Sequence, residues 1–152
     1  MSRLPAAGAW LTGAVFLAAG LMKVADGAHF ARSVAAYGMT DDTFAGTVAL
    51  VLPGMEVAAG ACLLTRRHRA AGALAALALS LVFCAALAWR WAHGDTADCG
   101  CLGESLKSSV PVALARAGAL VALSAYVFLR ERPVRATRPR VPESSLPDDV
   151  PA

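Results

Sequence analysis

The chain has 152 residues, 57% of them apolar and only 16% charged, with a net charge of +3. Its mean hydropathy is +0.55. That balance excludes a disordered chain, which needs low hydrophobicity and high charge. Four cysteines are too few for a disulfide-rich mini-protein. The apolar residues also come in runs too long for helices that face water.

The first run, Leu4 to Met22, carries no charge and is bounded by Arg3 and Lys23. It is longer than the apolar core of a signal peptide, and three more runs follow, so it reads as a retained helix. In the connection that follows, Phe30, Val34 and Tyr37 recur at i, i+4 and i+7, with Arg32 and Ser33 on another face. This spacing predicts a short amphipathic helix lying on the outer membrane surface. The second run, Thr43 to Thr65, has Glu56 as its only charge; Pro53 predicts a kink just outside that residue. The third, Ala70 to Trp89, has no charge, and the fourth, Ser108 to Leu129, has only Arg116. Each run approaches the ~20 residues a helix needs to cross a ~30 Å hydrocarbon core.

The fold class is therefore all-α, an integral membrane four-helix bundle with spans at about 4–23, 43–65, 70–91 and 108–130. Residues 1–130 form the membrane domain. Residues 131–152, rich in Pro and Arg with no apolar period, read as a disordered cytoplasmic tail. Small residues at four-residue spacing, Ala9/Gly13, Gly72/Ala76, Ala115/Ala119 and Gly118/Ala122, predict close helix contacts.

Orientation follows from the basic residues. Arg3, the Arg66-Arg67-His68-Arg69 connection and the arginines from Arg130 onward fall on one side. Both termini are expected in the cytoplasm, with the connections after the first and third spans facing outward. Trp89 and Trp91 fit an outer aromatic belt, and Trp10 an inner one. The arginine-rich tail needs no nucleic acid partner to explain it; the expected surroundings are the lipid bilayer of the cell membrane.

The densest chemical signal is Asp98-Cys99-Gly100-Cys101-Leu102-Gly103, in the second outer connection. Disulfides persist outside the cytoplasm. A bridge across one residue needs a folded turn, for which Gly100 and Gly103 supply backbone freedom. Such a small ring is strained, and strained, exposed disulfides exchange readily. Asp98 and His93 are polar groups near enough in sequence to handle protons, although Asp98 by itself raises a thiol pKa. Exchange chemistry and an inert structural bridge both remain open; a metal site using His93 lacks a visible ligand set. Cys62 and Cys84 lie at depths too different for a mutual disulfide and read as small packing residues.

Glu56 and Arg116 are the charges inside the spans. Counting from the outer surface, they lie ~18 Å and ~11 Å deep, a difference an Arg side chain can reach across, so they are expected to pair between the second and fourth spans. A structural ion pair and a proton-handling role both fit such an arrangement. Lys23 either snorkels to the surface or joins Glu56, although its depth fits less well.

These residues together resemble the methylamine utilisation protein MauE family, within the broader DoxX-like group of small four-helix membrane proteins. The resemblance rests on Gly13-Ala14-Val15-Phe16 and Ala19-Gly20-Leu21-Met22-Lys23, and on Leu52-Pro53-Gly54-Met55-Glu56 with Gly60. It also rests on Cys99-Gly100-Cys101-Leu102-Gly103 and Ala115-Arg116, and it covers about residues 3–130. Leu102 departs from the pattern, where the family usually has an aromatic residue. The resemblance implies extracytoplasmic redox maturation, such as methylamine dehydrogenase biogenesis. It also implies a thioredoxin-like partner, a disulfide-containing client protein and, by the DoxX-like connection, a membrane quinone as a possible cofactor. In that reading Cys99 and Cys101 are the exchanging pair, supported by Asp98, Gly100 and Gly103, with Glu56, Arg116 and Lys23 as the intramembrane charges. The alternative is a non-catalytic scaffold for the thioredoxin-like partner, or a quinone-linked DoxX-like membrane subunit.

Overall fold

A computed structural model describes residues 3–35, 41–94 and 109–131. Five helices follow in chain order: α1 (Arg3–Ala25), α2 (Gly27–Ala35), α3 (Asp42–Leu64), α4 (Arg69–Ala92) and α5 (Val110–Glu131). All but α2 are long and apolar enough to cross a membrane, which places the chain in a lipid bilayer. The four spans match the four uncharged or singly charged runs of the sequence. Tyr37, the Cys99/Cys101 segment and the tail from residue 132 lie outside the described residues.

The long helices alternate in direction. Gly13 of α1 faces Gly60 of α3, whereas Gly20, further along α1, faces Pro53 and Glu56, nearer the start of α3. Gly8 of α1 faces Leu123 and Val127 near the end of α5. Arg69 at the start of α4 lies 3.9 Å from Glu131 at the end of α5. Neighbours run α1–α3–α4–α5 and back to α1; among the described residues, α3 and α5 stand at opposite corners and do not touch.

Helix ends are set locally. Asp41 accepts from the Phe44 amide at 3.0 Å and caps α3, and Asp26 accepts from the His29 amide at 3.1 Å and caps α2. α4 stops at Gly94, whose φ of 74° is open to glycine without steric cost. At the opposite end of the bundle, the Arg69 Nε donates to the Leu63 carbonyl at 3.2 Å. This side chain, read from sequence as part of the basic Arg66–Arg69 connection, is buried and ties the end of α3 to the start of α4.

Several expectations are corrected. α2 exists, but its Phe30 is buried against the protein, because α2 packs along the N-terminal part of α3. Pro53 lies inside α3, which runs from Asp42 to Leu64; its ring removes the amide that would bond Ala49, the local condition for the expected kink. Of the small-residue pairs, Ala9/Gly13 and Gly72/Ala76 are buried, as close packing requires, while Ala115/Ala119 and Gly118/Ala122 face outward. α5 instead turns Val110, Ala117 and Ser124, seven residues apart, and Val127, three further on, inward, a face that Ala115, Gly118, Ala119 and Ala122 do not share.

The most extensive helix contact is between α1 and α3, and its backbones lie close. A Cβ at Gly60 would lie 2.8 Å from the Gly13 carbonyl oxygen and 3.0 Å from the Leu17 amide nitrogen. Both are backbone atoms, so neither helix yields without moving as a body. Gly60→Ala is expected to destabilise the bundle by about 1–3 kcal/mol. Gly118→Ala, where nothing lies within 4 Å, should leave it unchanged or slightly more stable. Unfolding of the purified variants in detergent by graded denaturant checks both outcomes.

Candidate functional site

The close approach of α1 and α3 carries two charges inward. Gly20 lets α1 lie directly against Pro53 and Val57. One turn further along, the Lys23 ammonium donates to both oxygens of the Glu56 carboxylate, at 2.6 and 2.7 Å. The two residues are 6% and 2% exposed, so the pair is shut off from solvent. Taking one charge of such a pair away strands the other in a low-dielectric interior.

Two further helices close over the pair. Lys23 Nζ lies 5.3 Å from the centre of the Phe30 ring on α2 and 5.0 Å from that of Phe83 on α4. Aromatic faces are electronegative and stabilise a cation within about 6 Å, more so where water is excluded. The ammonium thus has a carboxylate on α3 and aromatic rings on α2 and α4, and four elements meet at one charged group.

This arrangement corrects the expected Glu56–Arg116 pair. The helices that carry those residues are diagonal in the bundle, and Arg116 is exposed. Depth counting failed because it started every helix at one plane. Gly20 is level with Pro53 to Val57, so the first residues of α3 extend beyond the end of α1, beside α2. Glu56 is deep along its own helix, yet it lies within reach of the last turn of α1.

The remaining candidates are spread out. Asp98, Cys99, Gly100, Cys101 and Gly103 lie outside the described residues. The connection that carries them leaves α4 and enters α5 at the end of the bundle where α1 finishes, which is the end nearer the Lys23–Glu56 pair. His93, at the start of that connection, stacks on Trp89 with ring centres 4.2 Å apart and pairs through Nδ1 with the Trp89 carbonyl at 2.8 Å. Among the described residues, no three His, Cys, Asp or Glu side chains gather as a metal site. Cys62 and Cys84 are free thiols, half-buried on α3 and α4; Cys84 packs near Leu87 and Ala117.

Sequence reasoning missed Phe30 and Phe83 as neighbours of the charge. Phe30 stood out only as part of an amphipathic period, and Phe83 is one apolar residue among many in an uncharged run. No local pattern links either ring to Lys23; only the packing of α2 and α4 does.

Removing one member of the pair should be far worse than removing both. Glu56→Leu or Lys23→Met is expected to cost about 3–5 kcal/mol, and the combined Lys23→Met, Glu56→Leu variant to recover a large part of it. A double-mutant cycle on unfolding in detergent measures the coupling. Arg116→Ala should show no coupling with Glu56→Gln, since the two residues do not meet.

The comparisons with known proteins come from the sequence. A family model described as "Methylamine utilisation protein MauE" matches residues 1–130. A relative named methylamine utilization protein MauE, from Paracoccus denitrificans, is 39% identical over 97 residues, which is 63% of this chain and 52% of that protein. The chain thus spans about half the length of the curated relative it matches. No solved structure matches. With the family pattern extending over all four spans, the buried pair and the Cys99/Cys101 segment, the chain belongs to the MauE family.

Proposed function

We propose that this protein is a membrane-embedded component of extracytoplasmic thiol–disulfide chemistry, with Cys99 and Cys101 as the exchanging pair. The observation that carries the reading is the placement of a buried Lys23–Glu56 pair in the half of the bundle from which the Cys99/Cys101 connection leaves. The basic residues at the other end, Arg66, Arg67, Arg69 and Arg130, orient that half outward, where disulfides persist. Residues 1–130 act as the working unit, and both termini face the cytoplasm. The family's link to methylamine utilisation suggests a client protein in that pathway whose maturation depends on disulfides.

In one cycle, a thiolate of the client attacks the Cys99–Cys101 disulfide and forms a mixed disulfide. The client's second thiolate then attacks its own bridged sulfur. The client leaves oxidised, and Cys99 and Cys101 are left as a dithiol that has gained two electrons and two protons. Reoxidation passes both to a two-electron acceptor, either the disulfide of a thioredoxin-like partner or a membrane quinone. Asp98 is a polar neighbour for the protons, and Gly100 and Gly103 allow the turn that the ring needs. Lys23 and Glu56 hold the half of the bundle that this connection leaves and form a protonatable pair within it; Arg116 is a further charge in the same half. The second reading is a scaffold for the thioredoxin-like partner. It is favoured by the same pair, whose ammonium and carboxylate satisfy one another as a structural bridge does.

Thiol trapping in intact cells with a membrane-impermeant alkylating reagent separates these readings. For exchange, Cys99 and Cys101 become labelled after mild reduction, and Cys99→Ser or Cys101→Ser traps a mixed disulfide with another protein. Cys62→Ser and Cys84→Ser leave that pattern unchanged. A pair that stays oxidised until the protein is denatured makes the bridge structural and the protein a scaffold.

A further inference from the structure

We infer that α2 is a lid over the Lys23–Glu56 pair, seated by Phe30, and that it governs access to the Glu56 carboxylate from the end of the bundle where α1 finishes. α2 is nine residues long, against 22 to 24 for the other helices. Its one fully buried side chain is Phe30, whose ring lies 5.3 Å from the Lys23 ammonium. The rest of the helix is polar or partly exposed: His29, Arg32 and Ser33 direct their side-chain or capping hydrogen bonds within α2 and to Asp26, not to the bundle.

The attachment of α2 has the form of a hinge. Asp26 alone separates it from α1, and Gly27 follows with nothing within 4 Å of a Cβ placed there. The space around Gly27 leaves room for α2 to swing about that point. Against the bundle α2 rests mainly on α3 and touches α1 little. Short elements with few buried contacts open at lower free energy than the helices they cover. When Phe30 leaves, the ammonium keeps its carboxylate and the Phe83 ring on α4, so the pair survives the opening while one side of it becomes accessible. Phe30 is therefore a positioning residue for Lys23 and the plug of the lid, whereas Phe83 closes the pair from within the bundle. The inference concerns access to a carboxylate and does not depend on the chemistry of Cys99 and Cys101.

The test is chemical labelling of Glu56 in the full-length protein in lipid vesicles, with a water-soluble carbodiimide and an amine nucleophile, read by mass spectrometry of the peptide that contains Glu56. Phe30→Ala is expected to raise the labelling rate about tenfold or more over the unaltered protein, because it removes the one side chain that seats α2. Phe30→Leu, which keeps an apolar plug but loses the aromatic face, should give a smaller increase. Phe83→Ala should leave labelling by the water-soluble reagent near the starting rate. Equal labelling of Phe30→Ala and the unaltered protein overturns the lid, and so does equal opening by Phe30→Ala and Phe83→Ala. Hydrogen exchange on the unaltered protein needs no folded variant. The α2 amides should exchange together, about tenfold or more faster than the central amides of α1 and α3. Exchange of α2 at the rate of those helices refutes the lid.

Discussion

The structure depends on how closely α1 can approach α3. Glycines at positions 13, 20 and 60 bring backbone against backbone, and within a bilayer such contacts replace the hydrophobic drive that water supplies to soluble bundles. The same approach delivers Lys23 to Glu56. Neither charge is tolerable alone at that depth, and the short distance between the helices lets each neutralise the other. Packing and electrostatics are therefore one constraint: a side chain at Gly20 presses on Val57, Pro53 and Glu56 together.

From that contact the rest of the bundle can be ordered. α4 folds back on α3 through the short turn after Leu64, where Arg69 binds the Leu63 carbonyl and reaches towards Glu131 at the end of α5. Gly72 brings α4 within contact of Ala59, Cys62 and Leu63. α5 completes the ring against α4 and α1, leaving α3 and α5 apart. One end of the bundle is thus held by an arginine that ties helix ends together, and the other half by an ammonium in an aromatic and carboxylate surround. The connection that carries Cys99 and Cys101 leaves α4 and enters α5 in that second half.

What was legible in the sequence follows from the bilayer as solvent. Uncharged runs of about 20 residues must become helices, because hydrocarbon leaves no other way to satisfy backbone amides and carbonyls. The four spans and the suspicion attached to any ionisable residue within a run were read on that ground; the short helix around Phe30 was read from its amphipathic period. The family pattern was legible as well, because its residues lie at fixed spacings along the chain. The partner of Glu56 was misread. Depth along separate helices says nothing about which helices are neighbours or where each begins relative to the others.

The sequence by itself determined the number and place of the membrane helices and the charges that need partners, since each follows from local composition and the cost of polar groups in lipid. Only the tertiary structure decided that Lys23 and not Arg116 pairs with Glu56, that Phe30 and Phe83 flank the ammonium, and that Ala115, Gly118, Ala119 and Ala122 of α5 face outward while Ala117 faces inward. Those outcomes depend on which helices adjoin and how each is rotated, and in lipid an apolar helix carries little amphipathic signal to say which face turns inward.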